Sequence, residues 1–172
     1  TAVAMAIGDA LAVVWMERCG ISQEDFAINH PSGSLGKKLT IKVEDLMIPV
    51  EKLPALNPSY KLVNLISSMT KNGIGTSWVA DDFNKRKIVG LITDGDLRRA
   101  LENSNPESWI YLKAKDLMTI DPICIEKNQL AYKAIQIMEK NRKKPVSVLP
   151  VLDSKKQMCG IIRLHDLIQE GF

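Results

Sequence analysis

VEDLMIP at residues 43–49 returns as AKDLMTIDP at 114–122, and KIVGLITDGDLRRAL at 87–101 returns as QMCGIIRLHDLIQEG at 157–171. The intervals agree: Asp45 and Asp116 are 71 residues apart, Gly90 and Gly160 are 70 apart, and Asp96 and Asp166 are 70 apart. One offset held at three places marks an internal repeat of roughly 60 residues. Within the first copy, Leu62, Leu65, Ile66 and Met69 recur at helical spacing behind the capping candidate Ser59. Strands at 78–81 and 88–93 should follow around the turn DDFNKRK, then a helix from about Asp94 with Leu97, Ala100 and Leu101 inward. The second copy repeats the plan, with Asn128 as cap and Leu130, Ala131, Ala134, Ile135 and Met138 inward. Its strands fall at 146–152 and 158–164, ahead of a helix carrying Leu167 and Ile168.

A β-α-β-β-α unit of this size leaves one sheet face open and has too small a core to stand alone. Pairing two such faces buries a shared core, so the expected fold is α+β, two tandem units back to back. This reading divides the chain into 1–39, a first unit at 42–104, a linker at 105–113 and a second unit at 114–172. Met47, Met69, Met118 and Met138 sit at repeat-equivalent places and read as core packing.

Composition narrows the function. The 172 residues carry 23 Lys+Arg against 20 Asp+Glu, a net of +3. So small an excess argues against a nucleic-acid binder, which must neutralise many phosphates. Cys19, Cys124 and Cys159 are far apart and lack ligand spacing. They read as reduced, mostly packed thiols of a cytoplasmic protein, and no metal site is expected.

Thr93 closes a strand and Asp96 lies three residues on, in the first turn of the next helix. Both side chains then face one spot, where the hydroxyl could hold a phosphate oxygen and the carboxylate could accept from a ribose diol. Helix-start N–H groups favour an anion there. The same two residues could also simply cap the helix. In the second copy Arg163 replaces the threonine, while Asp166 is retained behind His165. An arginine would crowd a nucleotide, so one working site is expected rather than two, and His165 reads as a helix-start residue. Arg142, with Arg98, Arg99, Lys143 and Lys144, could lend positive field to a bound anion.

DLM at the entrance of each copy and G-x-x-T-DGDL at the exit of the first resemble a tandem pair of cystathionine-β-synthase (CBS) domains. That resemblance implies a nucleotide or nucleotide-like ligand in the cleft between the sheets, usually regulating an attached enzyme or transporter. It also implies the phosphate and ribose roles for Thr93 and Asp96, with self-association of CBS pairs into dimers or tetramers.

Ahead of the repeats stands TAVAMAIGDALAVVWMERCG, an apolar helix of about 18 residues ended by Gly20 at a C′ position. It is too short in its apolar run to span a bilayer and lacks the basic start of a signal peptide. Such a helix is normally buried, so it reads as the last helix of a larger preceding domain. Then comes ISQEDFAINHPSGSLGKKL, with Ser22 as N-cap, Asp25 three residues on, and His30 presented by a Pro- and Gly-rich turn. Together with the repeats, these segments resemble bacterial D-arabinose 5-phosphate isomerases, a sugar isomerase (SIS) domain followed by two CBS units. That family interconverts D-ribulose 5-phosphate and D-arabinose 5-phosphate on the way to the lipopolysaccharide sugar Kdo. Its turn reads H-P-G-G-[SA]-L-G, and Ser32 here departs from it at the first glycine. By motif position His30 would be an active-site residue of the intact protein, with residues 1–172 alone inactive. No cofactor is implied for catalysis. CMP-Kdo or an adenine nucleotide (AMP or ATP) is the implied effector.

Overall fold

The computed structural model describes residues 1–22, 25, 34–53, 55–81, 84, 86–140 and 145–172. Helix α1 (Ala2–Cys19) ends at Gly20, whose φ of 65° is the left-handed value expected of a C′ glycine. None of its residues is buried. Val3, Met5, Leu11 and Trp15 all stand exposed, so the described residues leave this apolar helix uncovered. Cys19 is exposed too, which corrects the reading of packed thiols, whereas Cys124 and Cys159 are half-buried; all three are free. Among the described residues no helix is long and apolar enough to cross a membrane.

Ser22 and Asp25 form the anticipated capping pair: the Asp25 amide donates to Ser22 Oγ at 3.1 Å, and the Ser22 amide and hydroxyl donate to Asp25 Oδ2. Those two hydrogen bonds hold the Asp25 carboxyl below its ordinary range. Helix α2 (Ser34–Thr40) is tied to the second repeat. Lys37 Nζ donates to the carbonyl of Glu170, and Lys38 Nζ sits 5.1 Å above the Tyr132 ring.

The first repeat comprises α3 (Val43–Leu46), β1 (Ile48–Pro49), α4 (Leu62–Asn72), β2 (Thr76–Ala80), β3 (Ile88–Thr93) and α5 (Asp94–Glu102). In the second these return as α6 (Ala114–Leu117), β4 (Thr119–Ile120), α7 (Ala131–Lys140), β6 (Val148–Leu152), β7 (Met158–Arg163) and α8 (Leu164–Gln169), with β5 (Ile125–Glu126) before α7. The strands β2/β3 and β6/β7 lie within two residues of expectation. The cap assignments differ. Helix α4 starts at Leu62 behind Lys61, and Ser59 turns back to Asn57 Oδ1 instead. Helix α7 starts at Ala131, past Asn128. Ile66 and Ile168, expected inside, are 38% and 59% exposed.

Each repeat lends its entrance to the other. Strand β1 pairs antiparallel with β7, Ile48 opposite Ile161 and Pro49 opposite Gly160. Strand β4 pairs with β3, Thr119 opposite Leu91 and Ile120 opposite Gly90. The sheets are therefore β1-β7-β6-β5 and β2-β3-β4. Short helices follow the same exchange: the Val43 amide donates to Gln129 O and that of Ala114 to Tyr60 O. Val43 is consequently buried with Ala131, Met138, Leu149 and Ile162, and Ala114 and Leu117 with Leu65, Val79 and Ile92.

A third core fills the space between the sheets, built from Leu53, Trp78, Ala80, Leu91, Val148, Met158 and Ile161. The alternation of strand side chains explains the division. Along β2, Val79 faces the helices while Trp78 and Ala80 face the opposite sheet. All five β2 residues are buried, as a strand covered on both faces requires. Trp78 satisfies its indole N–H on Leu53 O at 2.9 Å, so the largest side chain of this layer leaves no orphan donor.

The exchange explains the sequence signature. A Cβ on Gly160 would stand 2.3 Å from Ile48 O and 3.1 Å from Met47 Sδ. One on Gly90 would stand 2.3 Å from Met118 Sδ. The methionine of each DLM thus lies over the glycine of the other repeat, and that glycine admits the crossing strand. Met69 and Met138 are buried in the two helical cores, as expected of packing residues.

Candidate functional site

Thr93 is the last residue of β3 and the N-cap of α5. Its hydroxyl accepts from the Asp96 amide at 3.3 Å and donates to Asp96 Oδ2 at 2.7 Å. The Thr93 amide donates to the same oxygen at 2.8 Å, closing a reciprocal capping box. Asp96 Oδ1 takes Arg99, whose side chain is 66% exposed while that of Asp96 is 11% exposed. The predicted pair is therefore brought together, and capping is its role in this structure. A ligand reaching Asp96 Oδ1 would exchange with a solvent-exposed arginine.

Beside this helix start the Asp94 amide donates to Gly75 O at 3.1 Å. Met69, Thr70, Gly73, Ile74, Gly75 and Asp94 line an open crevice of about 400 Å³. Gly75 has φ 71°, and a Cβ there would meet Asp94 Oδ2 at 2.8 Å. Gly75 and Asp94 are crevice residues that no motif of the sequence singles out as such. The signal for Gly75 is GIGTS at 73–77, two glycines set directly before a buried strand.

Arg163 and Asp166 are also together. Arg163 Nε and Nη2 donate to the two Asp166 oxygens at 2.7 and 2.6 Å. Nη1 donates at 3.3 Å to the carbonyl of Ile74, in the other repeat. The fork holds the Arg163 guanidinium above its ordinary range. His165 is exposed in the first turn of α8, and Arg98 and Arg99 are exposed on α5. His30 and Arg142, with Lys143 and Lys144, lie outside the described residues. A second crevice of about 330 Å³ at the hairpin ends is lined by Lys87, Asp121, Cys124, Lys155 and Lys156 among others. Burial pushes the Cys124 thiol up, away from the reactive thiolate.

Thr93→Ala is expected to cost about 1 kcal/mol of stability through the lost cap, and Thr93→Ser little. Urea denaturation of the three proteins checks this, and equal midpoints for all of them would contradict the capping role.

A family model described as "CBS domain" matches residues 43–103 and 114–171. The chain is 36% identical over 171 residues to arabinose 5-phosphate isomerase KdsD of Pseudomonas aeruginosa, covering 99% of this chain and 50% of that protein. Against the KdsD of Escherichia coli K12 the identity is 31%, with the same coverage. The chain thus spans about half the length of the curated relatives it matches. Among solved structures, the CBS domain of a bacterial CNNM/CorC family Mg2+ transporter in complex with ATP superposes with TM-score 0.67 at 20% identity, over 87% of this chain and 96% of that one. CBSX2 in complex with AMP gives TM-score 0.60 at 21% identity, over 75% and 94%. At those identities the likeness concerns the fold.

Proposed function

Because the chain belongs to the CBS-domain family, with two such units over most of its length, we propose that it is the nucleotide-sensing module of a sugar-phosphate isomerase. The observation that carries the sensing role is the Thr93–Asp96 pair at a helix start beside an open crevice. In this reading the ribose diol of the ligand donates to Asp96. The phosphate accepts from Thr93 and from helix N–H groups, with Arg99 released from Oδ1 to neutralise it. Adenine nucleotides are supported by the AMP and ATP bound in the two neighbours. CMP-Kdo presents the same ribose and phosphate and is the other effector to test.

The isomerase is supported by the relatives, whose match extends through residues 1–39 as well as the repeats. In the intact protein α1 would pack within the preceding sugar isomerase domain, which accounts for an apolar helix with no buried residue. His30 would serve there in ring opening or in proton movement between C1 and C2 of the sugar phosphate, interconverting D-ribulose 5-phosphate and D-arabinose 5-phosphate. Residues 1–172 alone would bind effector without turning over substrate, and the intact protein would act in the cytoplasm as a dimer or tetramer joined through its CBS pairs.

Isothermal titration of residues 1–172 with AMP, ATP and CMP-Kdo tests the module, and a turnover assay of the full-length protein with each tests regulation. Micromolar binding of one of them, with altered turnover, is the expected result. No heat from any of the three would leave a purely structural pair.

A further inference from the structure

The two helix starts are built on the same frame and finished differently. Thr76 pairs with Thr93 in one sheet, and Val148 pairs with Arg163 in the other. The Asp94 amide donates to Gly75 O at 3.1 Å, and the equivalent Leu164 amide to Ser147 O at 2.9 Å. Arg163 therefore stands where Thr93 stands, and Asp166 where Asp96 stands. Thr93 completes a capping box around α5, whereas α8 has no side-chain cap bond.

Resting on the nucleotide-sensing reading above, we infer that Arg163 is the resident occupant of the second repeat's equivalent of the Thr93–Asp96 site, so that the protein takes up one nucleotide per chain. Both Asp166 oxygens, the acceptors a ribose diol would need, are consumed by the guanidinium fork at 2.7 and 2.6 Å. The third donor direction is spent on Ile74 O, 89 residues away in sequence. At Asp96 one oxygen faces only an arginine that is 66% exposed, while the Arg163 and Asp166 side chains are 26% and 19% exposed. The Arg163 guanidinium is thus more sheltered than that of Arg99, although Asp96 at 11% is the more buried of the two acids, and the Arg163 guanidinium holds the place of the ligand's ribose diol at Asp166. Because Ile74 also lines the first crevice, Arg163 ties the closed half of the molecule to the wall of the open half.

The test is AMP binding stoichiometry by equilibrium dialysis for the wild-type chain, Arg163→Thr and Arg163→Gln, with amide hydrogen exchange of residues 73–76 on the same samples. Wild type should bind one AMP per chain and each variant two, and exchange at 73–76 should quicken severalfold once the tie to Ile74 is gone. The glutamine variant serves if the threonine variant folds poorly. Two AMP on the wild type, or one on both variants, would overturn the inference while leaving nucleotide sensing intact, as would exchange unchanged in both variants. Binding of no AMP by any of the three would instead defeat AMP sensing, on which the inference about Arg163 rests.

Discussion

Gly160→Ala should lower the melting temperature by about 6–12 °C, the equivalent of roughly 3 kcal/mol for a chain of this size. The added methyl would lie 2.3 Å from Ile48 O, a backbone atom held by the pairing of β1 with β7 through Pro49 and Gly160. Relief requires β1 to withdraw, and with it goes the contact that joins the first repeat to the second sheet. Gly90→Ala offers an internal comparison, because the atoms it meets at 2.3, 2.7 and 2.9 Å all belong to the Met118 side chain. Sδ and Cγ can swing away by a rotamer change where a carbonyl oxygen cannot, leaving only the 2.9 Å approach to Cβ, which the backbone fixes. The loss at Gly90 should therefore be smaller, and Met118→Ala in the same chain should restore part of it. Thermal denaturation of the four proteins decides the matter. A Gly160→Ala protein melting with the wild type would mean that the strands do not cross so closely.

The second large effect concerns affinity. Asp96→Ala is expected to weaken nucleotide binding about 100-fold, since two hydrogen bonds to a charged acceptor disappear. The same change removes the carboxylate of the capping box, so about 1 kcal/mol of stability should go with it. Asp96→Asn separates the two losses: an amide oxygen still accepts from the Thr93 amide, but the charge that grips a ribose diol is gone. It should fold close to normally and bind about tenfold more weakly. Calorimetric titration of the three proteins with the strongest-binding nucleotide gives the numbers. Unchanged affinity in Asp96→Ala would move the ligand elsewhere, with the lysine-lined crevice of Lys87, Lys155 and Lys156 as the next place to look.

What could be read from the sequence was what depends on near neighbours or on the repeat itself. The constant offset announced two copies, and the three-residue spacing of Thr93 and Asp96 is a local relation that the capping box realises. The caps fall elsewhere than Ser59 and Asn128: Ser59 has an alternative turn partner close by, the Asn57 side chain, and helix α7 starts only at Ala131. Ile66 satisfied the helical period yet lies at its margin, 38% exposed; periodicity gives the direction of a face, not how far the neighbouring element covers it. Two-residue strands such as β1 and β4 carry no period at all, so the exchange between repeats was invisible. Its trace was present all the same, in DLM and the conspicuous glycines, but the link between Met118 and Gly90 has meaning only once the crossing is known. The reach of Arg163 to Ile74 is equally non-local.

The trading of entrance strands bears on how the molecule is made. During synthesis β1 leaves the ribosome more than a hundred residues before the partner edge at Ile161 against which it must settle. The early portion must then wait, its sheet unfinished, until the late portion arrives to complete it. Closure of this long circuit, rather than formation of any single helix, is the step on which a productive outcome turns.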